Sequence, residues 1–259
     1  MWARRISLCH VQRTSGTAGK VQHGADPSNE PPADCCLSDH VSELILVSAS
    51  GLAREVLAMV RSSGQYDVVG LLDDDREMAG VTVDGAPVLG SIDDAVNYTH
   101  AFLLVCIAAS REREAVVSHL ASLGIGESRY GTAVDPSVQY PEGCRVGRGS
   151  ILLRNVTLTA AVSLGSHVVA MPSVTFSYDV DVSDFATFAA GVSLGGGVRI
   201  GKGAYLGLNS SVRERTSVGD YATIGVCAGV LSNVPDGETW VGVPAREIDH
   251  GTYSYGRIR

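Results

Sequence analysis

The sequence predicts two linked architectures: an α/β N-terminal domain with Rossmann-like winding, then a left-handed parallel β-helix of hexapeptide repeats. Three observations predict them. From Val134 an apolar or aromatic residue recurs at every sixth position, through Tyr140, Val146, Leu152, Leu158 and Leu164 to Ile224 and Val230. In a chain that is 45% hydrophobic, so long a run at one phase is not chance, and an internal period outranks other sequence signals. The fourth residue after each anchor is small or β-branched, as at Val156, Val162, Val168, Val174, Val180 and Ala186. Ahead of this beat, short apolar runs alternate with helical stretches, the pattern of a parallel sheet.

Residues 1–40 are poor in aliphatic side chains, lack periodicity and contain Pro27, Pro31 and Pro32. Such a composition buries no core, so an N-terminal extension that is disordered, or misassigned ahead of a natural start near Val41, is expected. The first domain is expected over 41–132. Leu44–Ser48 reads as a strand, and Gly51 opens a helix with Leu52, Val56, Met59 and Val60 on one face, a stripe at helical period. Gly64 ends it. A strand over 67–74, the segment Pro87–Gly90, a small helix from Ser91, a strand over 101–108 and a helix from Arg111 to Leu123 follow.

Ligands of such sheets lie at the carboxyl ends of the strands. Those ends are Ser48–Gly51, Asp73–Asp75 and Ala108–Arg111. The helix amides after Gly51 suit a phosphate, and Asp73 and Asp74 suit a ribose or base. With Arg54 they are candidate substrate-binding residues. The alternative is that Gly51 only turns the chain and the aspartates are a solvated strand end.

The β-helix is expected over 133–246. Each hexad makes one short strand and one corner, three hexads close a triangular coil, and coils stack at ~4.8 Å. Glycine follows the anchor at Gly147, Gly165, Gly195, Gly201, Gly207, Gly219 and Gly225, read as corners that need unusual backbone angles. Cys144 and Cys227 read as small interior residues. A β-sandwich would instead show period two. Residues 247–259 read as a loose tail.

A net charge of −8 and a pI near 5.3 argue against nucleic acid or an anionic membrane as partner. No apolar stretch approaches the ~20 residues of a membrane span, and the six cysteines have neither metal nor disulfide spacing. A soluble, cytoplasmic protein is expected.

The strand–Ala49-Ser50-Gly51–helix opening, the run Leu71–Asp75, Pro87–Gly90, the coil phase, the segment 200–212 and Val241–Arg246 together resemble one family. Leu44 to Arg246 is similar to the bacterial sugar acyltransferases typified by sialic acid O-acetyltransferase and UDP-bacillosamine N-acetyltransferase. The resemblance implies a homotrimer, with acetyl-CoA or another acyl-CoA in a groove between adjacent β-helices. It also implies a small-molecule acceptor held partly by the N-terminal domain, and no metal. Such enzymes supply a histidine base, an acidic neighbour for it, and amides for the developing oxyanion.

Carried over by position, the catalytic histidine falls on Tyr178 and its acidic helper on Asp179. A second histidine, at the cofactor, falls on Thr187, and an asparagine at the acceptor on Met171. Further cofactor contacts fall on Leu208 and Val226. In the N-terminal domain the family's first glycine falls on Ser48, its histidine on Leu52, and a glycine of the third ligand loop on Ala109. At pH 7 an imidazole is mostly free base, whereas a phenol of ordinary pKa ~10 is about 0.1% phenolate. The exchange therefore removes about three orders of magnitude of competent base.

Three readings follow. Acyl transfer persists, with Tyr178 as hydrogen-bond donor and Asp179 or the substrate handling the proton. Alternatively the site is degenerate and serves a binding or regulatory trimer, or it is repurposed for an acyl thioester on a carrier protein. His167, the one histidine of the coil, is expected at the surface, or as a base supplied across a trimer interface. A zinc carbonic anhydrase on this fold needs three histidines per site, so that reading is set aside.

Overall fold

The computed structural model describes residues 41–139 and 141–248. The expected extension over 1–40, the Tyr140 step and the tail beyond 248 lie outside the described residues. Among these residues no helix is long and apolar enough to cross a membrane.

The first domain runs β1 (Glu43–Val47), α1 (Gly51–Ser63), β2 (Asp67–Leu72), β3 (Thr82–Val83), β4 (Ala86–Gly90), β5 (Phe102–Val105) and α2 (Ser110–Ser122). The sheet order is β3-β4-β2-β1-β5, with β1 central and parallel to both β2 and β5. Alternate residues of β1 feed two cores, Leu44 and Leu46 under α1, Ile45 and Val47 under α2. That is why β1 is apolar from Leu44 to Val47 rather than alternating. Ser50 caps α1 by accepting the Ala53 amide at 3.2 Å. Gly64, at φ 65, ends it with a bond to the Val60 carbonyl, the left-handed stop that glycine tolerates.

β6 (Ala133–Val134) pairs in parallel with Ile151–Leu152 and opens the β-helix. Two-residue strands then stack on three faces, each strand pairing with those 18 residues away. The first face holds 145–146, 163–164, 181–182, 199–200 and 217–218. The second holds β6, 151–152, 169–170, 187–188, 205–206 and 223–224, closed by 239–241 and 246–247. The third holds 157–158, 175–176, 193–194, 211–212 and 229–230. Anchors from Leu152 to Val230 fill the prism, and Phe176 meets Phe188 edge-on at 5.0 Å.

The corners differ from expectation in one respect. Left-handed backbone falls three residues after the anchor, at Asn155, Ala161, His167, Ser173, Asp179, Phe185, Asn209, Arg215, Tyr221 and Cys227, with Gly149, Gly191, Gly197 and Gly203 in phase. The glycines that directly follow an anchor have no such φ. They are required by proximity: a Cβ on Gly165, Gly201 or Gly219 would run into the next coil at Asp184, Asp220 or Asp236. The latter two carboxylates accept the amides of Lys202 and Asp220, at 2.7 and 2.8 Å, and Asp184 accepts that of Ser166 at 2.7 Å. Cys144 is partly buried against the core, but Cys227 is exposed on a corner rather than inside.

The first domain lies on the early coils. Ile151 and Val169, in the outward-facing column of the second face, are fully buried in the core that contains α1. α2 meets the edge between the first and second faces. There Arg113 is fully buried, with no carboxylate partner among the described residues. Its guanidinium donates to the carbonyls of His167 (2.9 Å), Ala108 (3.1 Å) and Phe185 (2.8 Å), to that of Ile107, and to the Thr187 hydroxyl (2.9 Å). Burial pushes its pKa down to about 10, which leaves it charged at neutral pH.

Candidate active site

Three loops converge at the carboxyl edge of the sheet. Ser48 sits at φ 80, a conformation that favours glycine, and its amide bonds the Leu72 carbonyl at 2.7 Å. Ala109 has an ordinary φ of −69, so a side chain there costs the backbone nothing. Ser50 donates from Oγ to the Cys106 carbonyl at 2.5 Å, tying the first loop to the end of β5. Asp73 accepts the amides of Ala49 at 2.6 Å and Asp75 at 2.8 Å, and Asp74 accepts that of Ile92 at 2.9 Å. Both aspartates thus brace loops with part of their acceptor capacity. Gly51 begins α1 with open space where its Cβ would be. Arg54 forms a fork with Asp84, Nε to Oδ2 at 2.8 Å and Nη2 to Oδ1 at 3.2 Å, which raises the arginine's pKa and lowers the carboxyl's through that hydrogen bond. Leu52 is core.

Tyr178 and Asp179 stand together on the edge between the third and first faces. Tyr178 is 52% exposed, and its ring covers Gly196, where a Cβ would run into it. Among the described residues its hydroxyl has no partner. Asp179 adopts φ 56 and fixes the corner through its amide on the Ala160 carbonyl at 3.0 Å.

Leu208 and Val226 are exposed one above the other on a different edge, between the second and third faces. The Cys227 amide bonds the Leu208 carbonyl there at 2.8 Å. Met171 stands at this edge too, but packs partly buried against the core under α1. Beside it a cleft of about 320 Å³ opens between α1 and the coil, lined by Glu55, Met59, Asp135, Arg154 and Pro172 among others.

Two expectations fail on burial. Thr187, expected at the cofactor, is 1% exposed, and its hydroxyl is taken by Arg113, the Ala108 carbonyl (2.9 Å) and Ser110 (3.2 Å). It docks the third ligand loop on the β-helix. His167, expected at the surface or as a base across an interface, is also 1% exposed. Its ring stacks on Phe185 at 5.1 Å and meets Tyr130 edge-on at 4.6 Å. Among the described residues neither ring nitrogen has a hydrogen-bond partner, and Glu127 lies 3.8 Å away. Burial, helped by Arg113, pushes its pKa down to about 4, so the ring is a neutral packing element.

Sequence reasoning missed the groups that hold the two domains together. Arg111 lies over the Tyr221 ring at 4.1 Å, and Glu114 takes Tyr221 Oη and Lys202 Nζ, both at 2.6 Å. Partial burial alone would raise the Glu114 pKa, but those hydrogen bonds outweigh it and hold the carboxyl below its ordinary range. Among the described residues no group of His, Cys, Asp and Glu gathers as a metal site.

Residues 43–120 match the family described as the PglD N-terminal domain. Among solved structures, the acetyltransferase domain of PglB from Neisseria gonorrhoeae FA1090 is 24% identical, with TM-score 0.73 over 80% of this chain and 100% of that one. PerB from Caulobacter crescentus, solved with CoA and GDP-perosamine, is 22% identical, with TM-score 0.73 over 81% and 98%. WeeI from Acinetobacter baumannii AYE is 27% identical, with TM-score 0.69 over 79% and 99%. The comparison with curated proteins gave no match.

Proposed function

We propose that the chain, whose residues 43–120 match the PglD N-terminal domain and whose fold matches that of sugar acetyltransferases, transfers an acyl group, acetyl in the first instance, from an acyl-CoA. The acceptor is an amine or hydroxyl of a sugar nucleotide or similar small biosynthetic metabolite. One observation carries the reading: a ligand-loop domain of the matched type is docked on a β-helix whose edge between the third and first faces exposes Tyr178, its hydroxyl without a partner among the described residues, beside Asp179. The comparison structures solved with acetyl-CoA, or with CoA and a nucleotide sugar, support it.

In this reading the acceptor lone pair attacks the thioester carbonyl. A C–N or C–O bond forms, the C–S bond breaks, and the proton lost by the acceptor ends on the leaving thiolate, passed on by the group that first accepts it. Tyr178 donates a hydrogen bond to the carbonyl oxygen as it becomes an oxyanion. Asp179 accepts the acceptor's proton. Within one chain Tyr178 and Asp179 stand on one edge of the prism, and Leu208 and Val226 on another. We therefore place the site between copies of a cytoplasmic homotrimer, with acyl-CoA along the Leu208–Val226 edge of one and against Tyr178 of the next. Gly51, Arg54, Asp73 and Asp74 hold the acceptor's far end, with Met171 at the cleft under α1.

The test is calorimetric titration with acetyl-CoA and longer acyl-CoAs, followed by thiol release with candidate acceptors. Micromolar binding, with a Tyr178→Phe variant about 10²-fold slower at unchanged acyl-CoA affinity, is the expected result. No binding of any acyl-CoA overturns it. Binding without turnover would favour the binding-trimer reading, which the phenol in place of an imidazole supports.

A further inference from the structure

We propose that an oxyanion site adjoins Asp179, and that the acceptor is anionic, with its carboxylate or phosphate held by Arg199 and Arg215. The acceptor assignment rests on the acyl-transfer reading; the anion site stands on geometry alone. Next to Asp179 the surface opens into a depression of about 460 Å³, walled by Arg199 and Arg215 and extending to Ser217 and Asn233.

The depression has a cause in the repeat. Asp179, Gly197, Arg215 and Asn233 follow one another at 18-residue spacing down one edge. Gly197 is the member without a side chain, at φ 68, and a Cβ there would lie 3.5 Å from Arg215 Cγ. The missing side chain leaves the hole, and the Arg215 stem borders it. Arg199 reaches the hole from the first face, in register with Asp181 on one side and Ser217 on the other.

Neither guanidinium is in an ion pair among the described residues, although Asp179 and Asp181 stand close by in the repeat. Elsewhere Arg54 and Arg154 have carboxylates, Arg111 lies on Tyr221, Arg113 donates to carbonyls and a hydroxyl and Arg129 to two carbonyls; other arginines such as Arg145, Arg148 and Arg213 are also outside ion pairs among the described residues, but do not line the depression. In a chain of net charge −8, two unpaired guanidinium groups share one concavity beside the reacting edge. Such groups repel one another until an anion bridges them, and their planar forks match a carboxylate or phosphate in bidentate fashion. An acceptor with that group would be anchored on the edge that carries Tyr178, a few coils along, whereas a neutral acceptor would leave both charges uncompensated.

The experiment is calorimetry on the full chain with inorganic phosphate as anion probe, and with acetyl-CoA and 3′-dephospho-CoA in parallel. The variants are Arg199→Gln, Arg215→Gln, Arg215→Lys and, on the same face but away from the depression, Arg145→Gln. Phosphate affinity is expected to fall at least tenfold in both pocket Gln variants, to recover partly in Arg215→Lys, and to stay unchanged in Arg145→Gln. Both CoA forms should bind all variants alike. Phosphate binding indifferent to Arg199 and Arg215 overturns the site. If the pocket variants weaken acetyl-CoA but not its dephospho form, the arginines hold the CoA phosphate and the acceptor assignment is overturned. Arginine-dependent phosphate binding in a protein that binds no acyl-CoA keeps the anion site and sinks the acyl-transfer reading.

Discussion

His167 occupies a corner of the β-helix with left-handed backbone, φ 56, and is packed between Phe185 and Tyr130 with both ring nitrogens unsatisfied. The charged groups facing it are Arg113, Glu127 and Asp184, and only the first opposes its protonation. Its pKa is about 4 in the folded chain against ~6.5 unfolded, so below pH ~6.5 the unfolded state binds the extra proton. Its contribution is fully present above that pH and is lost as pH falls toward 4, to a limit of order 3 kcal/mol. We expect His167→Phe to fold with equal or greater stability at pH 7, since it removes two unsatisfied polar atoms. It should also flatten this part of the acid limb between pH 6.5 and 4, as read from urea midpoints across pH. Arg113 is the opposite case. Arg113→Met would strand several buried carbonyls and is expected to cost about 2–4 kcal/mol, measured by the same midpoints at pH 7.

At the scale of elements, glycines in this chain serve different ends. Gly51 meets nothing where its Cβ would be, while a Cβ on Gly201 would lie 2.5 Å from the Asp220 amide nitrogen and 2.6 Å from the Gly219 carbonyl carbon. Backbone cannot swing aside as a side-chain tip can, so Gly201→Ala is expected to lose about 1–3 kcal/mol. Gly51→Ala at the first turn of α1 should keep or slightly gain stability. Thermal unfolding of the two variants checks this contrast. A loss of acceptor binding in Gly51→Ala at undiminished stability would mark Gly51 as a ligand contact.

For the whole molecule, the first domain and the β-helix form a continuous interface through Ile151, Val169, Thr187 and the α2 cluster around Glu114. Yet the exposed edge of Tyr178 and the exposed edge of Leu208 and Val226 stand apart in the same chain. If the site forms between copies, a Tyr178→Phe chain and a Val226→Asp chain, each impaired alone, should regain activity when unfolded and refolded as a mixture. In a trimer assembled at random some interfaces then combine an intact half from each. Thiol release from the mixture measures it, and the absence of any gain would place both halves of the site in one chain.

Much of this molecule was legible because its physics is local. A six-residue step in which every third strand returns to the same face makes the interior column apolar whatever surrounds it, and β1, α1 and α2 follow from equally short-range patterns. One longer-range signal lies in the sequence as well: Ile151 and Val169, 18 residues apart in an outward column otherwise held mostly by Ser, Thr, Asp and Arg, mark the covered second face. The sequence alone carries the two architectures and their order. Only the tertiary structure decided that His167 and Thr187 are docking residues, that the post-anchor glycines answer to the next coil, and that Arg199 and Arg215 share a hollow beside Asp179. Those outcomes depend on which residues a neighbouring coil or domain brings within contact distance, and burial and proximity of that kind are not written in any one segment.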